Sequence, residues 1–524
     1  MEEISNFAPD IMYGPLIMDF TGIARMILEP RARRTDRWGT ESEDIQRAQL
    51  RELLRMASDT EVGREKGFAE LAASHDPRRA YRERVPLSDY EDIRGKVMRM
   101  IRGEAGVLWP GVCRDYAQSS GTSGGKSKFI PVTPRSLKKC HYPGATDAVA
   151  HYLRHNPESR IFRGKGLILG GSFANELNLT DRRVHVGDVS ATLIRRINPL
   201  ANLFRVPGKN IALMPDWEKK LPAIVEAAKN ADITNLSGVP SWFLAVIKEV
   251  LHEKNVSSLH DVWPNLEVFF HGGISFAPYR EVYESFTDPA KMHFVENYNA
   301  SEGFFAVQDL PENHGLLLGI DNDVYYEFVA LGEDADSAVG IEALEKGKVY
   351  EMIITSSNGL WRYRLGDTVR VESTSPVRIR IAGRTKSYIN AFGEELMEDN
   401  AEQAIAEVNH ELGCAIANYT AAPFFADGQR RGRHQWWIEW EKEPGNIEEF
   451  GRRLDLALRK LNSDYDAKRG GGYFLDAPEI VSVPAGVFDR WLMAEGSKKL
   501  GGQRKIPRLC NDRRIVDTLA GMMK

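Results

Sequence analysis

The 524-residue sequence has few cysteines and lacks a long apolar run. Its cysteines lie far apart and form no C-x-x-C pair, which argues against a disulfide framework or a zinc knuckle: Cys113, Cys140, Cys414 and Cys510. No apolar stretch approaches the ~20 residues of a membrane-spanning helix, so we expect no membrane association. The opening residues, MEEISNFAPD, are acidic and lack the apolar core of a signal peptide. We therefore expect a cytoplasmic protein with buried free thiols.

Charge of neither sign dominates the chain. The sequence has 69 Lys and Arg against 74 Asp and Glu, a formal net charge of −5. Because nucleic-acid-binding domains usually carry a basic face, we expect no nucleic-acid partner. The length exceeds that of one ordinary domain, and 42% of the residues are hydrophobic, so we expect a large domain and at least one smaller one.

The order of apolar runs predicts an α/β protein. Between residues 166 and 303, strand-like runs that end in glycine or proline alternate with helical ones, as in GLILGG, LPAIVEAAKN and LEVFFHGG. That alternation is typical of layered α/β folds. The sequence becomes β-rich from Asn322, and a mixed tail follows. We predict a large domain with layered α/β and β-rich subdomains, 1–383, and a small α+β domain, 384–524.

An early helix is predicted within TESEDIQRAQLRELLRMASDT. Four apolar residues are spaced to form one face: Leu50, Leu53, Leu54 and Ala57. Thr40 and Glu43 have the spacing of a capping box, so we expect the helix to begin just after Thr40.

The stretch 118–134, QSSGTSGGKSKFIPVTP, is rich in glycine, serine and lysine. Its GKS ending imitates the nucleotide-binding P-loop, but Ser120 stands where that pattern has its first glycine. Pro131 and Pro134 are incompatible with the regular helix that a P-loop opens. We predict instead a loop between extended segments, whose hydroxyls and amides surround a polyphosphate. A plain Gly/Ser surface loop is the alternative that this stretch alone leaves open.

Two later stretches carry candidate nucleotide ligands. NYNASEGFF places Tyr298, Ser301 and Glu302 in a turn after an apolar strand, where tyrosine can lie against adenine and glutamate can hold Mg²⁺. LWRYRLGDTVRV places Asp367 in a tight Gly-Asp turn, where one carboxylate can accept hydrogen bonds from both ribose hydroxyls. Either pattern by itself is more often purely structural.

Taken in order, these three motifs resemble those of the GH3 acyl acid–amido synthetases, a branch of the acyl-adenylate-forming superfamily. They are SSGTS running to KFIP at 119–131, YNASE at 298–302 and YRLGD at 363–367. The N-terminal region and the C-terminal GGQRKIPRL also look like those of the family, so the likeness covers most of the chain. The resemblance implies a ligase that uses ATP to adenylate a small carboxylic acid and then transfers the acyl group to an amino acid amine.

The resemblance also implies the residues around the ATP phosphates. Six residues of the Gly/Ser stretch would contact the phosphates: Ser119, Ser120, Gly121, Thr122, Ser123 and Lys128. Ser301 and Glu302 would lie near the α-phosphate, with Glu302 as a catalytic residue and the ligand of Mg²⁺. In this chemistry negative charge accumulates on phosphate oxygens, which preorganised donors and a metal ion stabilise.

The nucleoside and the second catalytic residue are assigned in the same way. Tyr298 would stack near adenine, with Gly273 of HGGISF on the same wall. Asp367 would hold the ribose together with Arg384, which belongs to the Gly-Arg pair that opens the superfamily's hinge. Lys505 of GGQRKIPR would approach the carboxylate and the α-phosphate when a mobile C-terminal domain swings in.

Several alternatives stay open. GGKSK in place of the G-x-P-K of acyl-CoA synthetases favours the amido synthetases, but a carboxylate–CoA ligase shares the first half-reaction. His151 and His155 are at i, i+4 without the glutamate of H-E-x-x-H, so we predict no metal site there. Aromatic candidates for the acyl pocket, each more commonly a core residue, are Phe173, Phe204, Trp242 and Phe270. We expect a monomer; the sequence identifies neither the acid, the acceptor nor the base for amide formation.

Overall fold

A computed structural model describes the chain over these residues: 19–119, 128–175, 177, 179, 181–274, 276, 279–312, 314–384, 388–425, 431–470, 474–488, 490–491 and 506–523. The N-terminal part consists of α1 (Thr21–Thr35), α2 (Ser42–Ala57), α3 (Glu61–Lys66), α4 (Phe68–Ala73), α5 (Pro77–Arg84) and α6 (Tyr90–Ile101). None of the helices described is both long and apolar enough to cross a membrane.

Helix α2 has the predicted apolar face but not the predicted start. Leu50, Leu53, Leu54 and Ala57 are fully buried, as the spacing predicted. The capping box was wrong: α2 is preceded by Glu41, which makes no side-chain cap. The Thr40 hydroxyl instead donates to the Arg37 carbonyl, in a short 3₁₀ turn that ends before α2.

The part of the chain up to residue 384, called the body below, contains an eleven-stranded mixed sheet. Its strands are β3 (Lys165–Ile168), β5 (Arg205–Val206), β6 (Ile233–Gly238), β7 (Val268–Gly272), β8 (His293–Ala300), β9 (Gly303–Val307), β10 (Leu316–Leu318), β11 (Val324–Ala330), β12 (Val349–Ser356), β13 (Leu360–Thr374) and β14 (Val377–Arg384). They lie in the order β11-β12-β13-β14-β10-β9-β8-β7-β6-β3-β5. The predicted α/β and β-rich parts therefore share one sheet.

The two halves of this sheet differ in strand direction. Strands β5, β3, β6, β7 and β8 are parallel, and the β8–β9 hairpin starts the antiparallel half. Parallel strands need crossover connections, which here contain α9 (Val189–Arg196), α10 (Lys209–Ala212), α11 (Trp217–Ala228), α12 (Pro240–Lys254), α13 (Leu259–Val262) and α14 (Arg280–Ser285). The predicted α/β class is confirmed.

A second sheet has three strands, two of which flank the Gly/Ser stretch. It contains β1 (Asp115–Ser119), β2 (Lys128–Pro131) and β4 (His185–Gly187), in the order β2-β1-β4. Ser119 lies opposite Lys128 in the antiparallel β1–β2 pair. The prediction that extended segments flank the loop is confirmed, while residues 120–127 lie outside the described part of the chain. After β2 come α7 (Pro134–Ser136), a π-helical turn (Leu137–His141) and α8 (Tyr142–His155).

The tail has its own apolar core. Its elements are β15 (Tyr388–Ile389), β16 (Leu396–Met397), α15 (Glu398–Leu412), β17 (Ala415–Phe424), β18 (Arg433–Lys442), α16 (Ile447–Leu461), α17 (Ser463–Arg469), β19 (Glu479–Val483) and a C-terminal helix, Arg514–Met522. Trp436, Phe450 and Leu454 are fully buried in that core. The predicted mixture of helix and strand is confirmed, and the domain limits 1–383 and 384–524 stay a prediction. All four cysteines are free, and Cys510 is the one that is not fully buried.

Candidate active site

A cleft of about 1030 Å³ runs along β8 and reaches the carboxyl end of β7. Ligands of open α/β sheets bind outside the carboxyl ends of the strands. Seven of the residues predicted from the sequence line this cleft: Ser119, Lys128, Gly273, Tyr298, Ser301, Glu302 and Asp367. The structure thus brings together side chains that are up to 248 positions apart in the chain, from Ser119 to Asp367.

One end of the cleft brings together four of the residues predicted to lie near the ATP phosphates. Ser119 and Lys128 stand at the base of the β1–β2 hairpin, and Lys128 is buried. Ser301 and Glu302 form the turn between β8 and β9, as predicted, whereas Tyr298 lies within β8 itself. The Glu302 backbone carbonyl accepts a hydrogen bond of 2.8 Å from the Asn358 side chain, which fixes this turn against the β12–β13 connection.

The other candidate nucleotide residues lie around Tyr298. The Tyr298 hydroxyl donates to Oδ2 of Asp367 at 2.5 Å, and both side chains are buried. The Tyr298 ring also packs edge-on against Phe305, with 5.1 Å between centroids. Gly273, with φ of +84°, follows a glycine that the structure requires, because a Cβ on Gly272 would lie 2.5 Å from the Asn297 carbonyl oxygen.

The Gly-Asp pair of YRLGD is not in a tight turn, so that prediction was wrong. Residues 365–367 form a bulge in β13, where Arg364 pairs with Ile353 and Thr368 pairs with Glu351. Gly366 supplies the left-handed backbone, with φ of +84°, that the bulge uses. A bulge re-aims the side chains within it, and here one of them is Asp367 of the cleft wall.

Of the remaining predicted residues, the structure describes the backbone of Arg384 but not the other five. Arg384 ends β14 and its backbone lies opposite Asp367 in the β13–β14 register, next to Gly383 in the cleft wall. Four phosphate-loop residues and the predicted catalytic lysine lie outside the described residues: Ser120, Gly121, Thr122, Ser123 and Lys505.

The tail, residues 388–523, forms one wall of the cleft, and the sequence analysis did not predict the residues of this wall. Seven of its residues line the cleft: Tyr388, Asn390, Ala391, Glu395, Phe425, Asn511 and Asp512. The wall is attached to the body, because Tyr279 donates to the Ala391 carbonyl at 2.5 Å and Asn390 donates to the Gly273 carbonyl at 3.3 Å. Only the resemblance pointed to this region, through the expected hinge at Gly383.

Two cleft histidines are held neutral by burial. His151 lies 3.3 Å from the Thr35 hydroxyl, and burial lowers its pKa to about 4. His271 stacks on Phe276 at 4.1 Å, and burial lowers its pKa to about 3. His155 also lines the cleft. Within the described residues no group of three or more His, Cys, Asp or Glu side chains has the arrangement of a metal site.

The aromatic acyl-pocket candidates do not line this cleft. Phe270 is buried against Tyr152 at 5.7 Å, and Phe204 packs against Phe20 at 5.5 Å. Phe173 packs edge-on to His185, and Trp242 contacts Lys468 of the tail. The aromatic rings that do line the cleft, besides Tyr298, include Phe276, Phe294, Tyr388 and Phe425.

The architecture defines the class of protein: it has the fold of the adenylate-forming enzymes. An acyl acid amido synthetase solved in complex with 2,4-DB, AtGH3.15, superposes with a TM-score of 0.58 at 19% identity, with 96% of each chain covered. A 2-hydroxyisobutyryl-CoA ligase, solved with 2-HIB-AMP and CoA in the thioesterification state, gives a TM-score of 0.52 at 13% identity, covering 92% of this chain and 91% of that one.

The chain belongs to the GH3 family. Models of the GH3 family N-terminal, central and C-terminal domains match residues 32–292, 317–384 and 399–514 in that order. The probable indole-3-acetic acid-amido synthetase GH3.1 of Arabidopsis thaliana is 23% identical, with 91% of each chain covered. The jasmonoyl-L-amino acid synthetase JAR6 of Nicotiana attenuata is 22% identical over 63% of this chain and 66% of its own. The resemblance recognised in the motifs is confirmed.

Proposed function

We propose that this protein is an ATP-dependent acyl acid–amido synthetase. It adenylates a small carboxylic acid, releasing pyrophosphate, and transfers the acyl group to the amine of an amino acid, releasing AMP. The observation that carries this proposal is the convergence of the three motifs on one cleft in a member of the GH3 family. The named relatives are amido synthetases that act on indole-3-acetic acid or that join a jasmonoyl group to amino acids.

In the first half-reaction the carboxylate attacks the α-phosphorus of ATP. Ser119 and Lys128 flank the stretch that is proposed to contact the phosphates, and the buried Lys128 side chain is held in a position that needs no reorganisation during transfer. Tyr298 and Gly273 bound the adenine, and Asp367 accepts hydrogen bonds from the ribose. Lys505 approaches the α-phosphate from the tail.

Glu302 is the residue proposed to hold Mg²⁺. It is a buried carboxylate at the phosphate end of the cleft, and Mg²⁺ prefers one or two carboxylates together with phosphate oxygens and water. The donor set therefore fits a metal ion that is completed by the bound nucleotide rather than by a protein cage. The ion would neutralise phosphate charge, while the residues of the chain position the reactants.

Carboxylate-dependent exchange of pyrophosphate into ATP tests the first half-reaction. A panel of aromatic and aliphatic acids is offered, and AMP release is then measured with amino acids or with CoA as acceptor. Amide formation with an amino acid is the expected result. Thioester formation with CoA alone would support the carboxylate–CoA ligase, and no exchange with any acid would contradict both ligases. The cytoplasmic location and the monomeric state stay predictions; gel filtration measures the second.

A further inference from the structure

The connection between β12 and β13, residues 357–359, is buried although it is a loop. Ser357 is 0% exposed and Asn358 is 1% exposed. Connecting loops usually run over the surface, because a buried loop must find partners for its polar groups inside the protein. The contacts of this loop show what it holds together.

The loop contacts two segments that carry residues predicted to lie near the ATP phosphates. Nδ2 of Asn358 donates to the Glu302 carbonyl at 2.8 Å, in the turn between β8 and β9. The Thr133 hydroxyl donates to the Ser357 carbonyl at 2.9 Å, and Thr133 follows β2, the strand that begins at Lys128. The loop therefore joins the turn that contains Glu302 to the strand that contains Lys128.

The turn between β8 and β9 is also held from a second side. The Phe304 N–H donates to Sγ of Cys140 at 3.3 Å, and the Cys140 thiol donates to the Phe304 carbonyl at 3.7 Å. A Cβ on Gly303 would lie 2.8 Å from the Phe305 ring and 3.3 Å from Sγ of Cys140, so the chain packs closely on this side. Asn358 adds a contact at Glu302 itself, and the position of the Glu302 backbone is set by both sides.

The polar groups of the loop are only partly used for stability. Oδ1 of Asn358 and the Ser357 hydroxyl are buried, and neither has a hydrogen-bond partner among the described residues. A buried polar atom without a partner costs free energy that an apolar side chain of similar size would not. Residues that depart from such rules of stability are expected where function requires them. The hydrogen bond from Asn358 to Glu302 is the contact that gives Asn358 such a role.

Groups that hold a metal ligand from behind strongly affect metal binding. Mg²⁺ requires near-ideal octahedral geometry, so a carboxylate ligand is effective only when it is correctly placed. Removing a group that orients a ligand typically weakens metal binding 10- to 100-fold. Asn358 has the position of such a group, because it bonds to Glu302 and does not itself line the cleft.

We propose that Asn358 is the positioning residue of the Mg²⁺ ligand. Its hydrogen bond fixes the Glu302 backbone, and with it the point from which the Glu302 carboxylate reaches the ion on the bound nucleotide. This inference rests on the proposed function, which assigns Mg²⁺ to Glu302. Asn358 acts through Glu302 and touches neither the ion nor the nucleotide.

The test measures how tightly a metal ion binds, independently of turnover. Mn²⁺ replaces Mg²⁺, since its free concentration can be followed by electron paramagnetic resonance. The protein is saturated with α,β-methylene-ATP, which cannot be cleaved between the α- and β-phosphates. Four proteins are titrated: the wild type, Asn358→Ala, Glu302→Gln and the double variant.

The matched control is Asn400→Ala. Asn400 is also a buried asparagine whose side chain donates to a backbone carbonyl, that of Leu461 at 3.3 Å, but it lies in the tail and does not line the cleft. The melting temperature of every variant is measured alongside the titration. Asn400→Ala should have a lower melting temperature and the Mn²⁺ Kd of the wild type.

Asn358→Ala is expected to raise the Kd for Mn²⁺ roughly 10- to 100-fold. Because Asn358 acts through Glu302, the double variant should bind Mn²⁺ little more weakly than Glu302→Gln alone. In the exchange reaction Asn358→Ala should need correspondingly more Mg²⁺, while its kcat at saturating Mg²⁺ stays near that of the wild type.

Three results would overturn the proposal. An unchanged Kd in Asn358→Ala together with a lower melting temperature would show a merely structural role. A full additional loss in the double variant would show that Asn358 does not act through Glu302. An equal rise of the Kd in Asn400→Ala would show a general effect of destabilisation. Absence of exchange in the wild type, or an unchanged Kd in Glu302→Gln, would instead contradict the proposed function or its assignment of Mg²⁺.

A second variant covers the case in which Asn358→Ala does not fold. Asn358→Ser keeps a polar group in the buried loop, but its side chain is one atom shorter and does not reach the Glu302 carbonyl. It should raise the Kd for Mn²⁺ in the same way. If Asn358→Ser binds Mn²⁺ as tightly as the wild type, the assignment of Asn358 is wrong.

Discussion

The Tyr298 hydroxyl and the Asp367 carboxylate are joined by a hydrogen bond of 2.5 Å in the wall of the cleft. Tyr298 lies on β8 and Asp367 lies in the bulge of β13, so the bond connects two of the three motifs directly. In the proposed function, one residue contacts the base and the other the ribose. Because the two side chains are bonded to each other, their positions are fixed relative to one another before the nucleoside binds.

We predict that Tyr298→Phe weakens ATP binding without removing the aromatic surface. A hydrogen bond to a charged group contributes about 1.5–3 kcal/mol, so the KM for ATP in the exchange reaction should rise roughly tenfold or more. Tyr326→Phe is the control, because Tyr326 is buried and donates to the Gly319 carbonyl at 3.3 Å, outside the cleft lining. It should leave the KM unchanged, and an equal effect of both variants would contradict the role of Tyr298.

The proposed contact of Asp367 with the ribose predicts that a variant discriminates less between ATP and its deoxy analogues. The wild type should use 2′-deoxy-ATP and 3′-deoxy-ATP less well than ATP, because a buried carboxylate then lacks a donor. Asp367→Asn should raise the KM for ATP by roughly 10- to 100-fold and reduce the difference between ATP and the deoxy analogues. The KM is measured for the wild type and for Asp367→Asn with each of the three nucleotides, and these six values form double-mutant cycles between the carboxylate and each ribose hydroxyl. If the effects of the substitution and of removing a ribose hydroxyl are additive, so that Asp367→Asn still prefers ATP to the deoxy analogues as strongly as the wild type does, Asp367 does not contact the ribose.

Local patterns predicted the fold and one wall of the site well. The periodicity that buries Leu50 and Leu54 and the alternation that gives β7 and β8 are properties of short segments. The two wrong predictions, the tight turn at Asp367 and the capping box at Thr40, depended on contacts that the motif alone does not show. Asp367 is in a bulge because three residues of β13 oppose one of β12, and Thr40 does not cap α2 because its hydroxyl is used by the preceding turn.

The tail wall illustrates the same limit. Asn390 and Glu395 reach the cleft through contacts with Gly273 and Asn462, which are 117 and 67 residues away in the chain. No spacing within NAFGEE predicts those contacts. The positive φ of Glu395 is likewise visible only once the fold is known.

Burial of His141 predicts acid sensitivity of the fold. Its side chain is buried, its Nε2 has no hydrogen-bond partner among the described residues, and burial lowers its pKa from 6.5 to about 4. Between these two values the unfolded chain binds a proton that the folded chain does not, so stability is complete above pH 6.5 and falls as the pH falls towards 4. At about 1.4 kcal/mol per pKa unit, the loss from this residue is roughly 3 kcal/mol at pH 4.

His141→Leu should therefore flatten the decrease in melting temperature between pH 7 and roughly pH 5. Differential scanning calorimetry at several pH values measures the slope. His410→Gln is the control, because His410 is exposed in the last turn of α15 and its surroundings change little on unfolding. A slope in His141→Leu equal to that of the wild type would contradict the assignment.

Gly393 lies in the connection between β15 and β16. Comparing its alanine variant with that of Gly413 separates the cost of backbone strain from the cost of crowding a neighbouring side chain. A Cβ on Gly393, at φ of +87°, would lie 3.1 Å from Cε of Lys468, whose Nζ is 4.1 Å from the centre of the Trp242 ring. A Cβ on Gly413, at φ of +61°, would meet no atom of the described part of the chain within 4 Å. Both alanine variants bear the left-handed strain, about 1–2 kcal/mol. Gly393→Ala should lower the melting temperature further, because it also crowds the contact between tail and body, and equal decreases would show that this contact adds nothing.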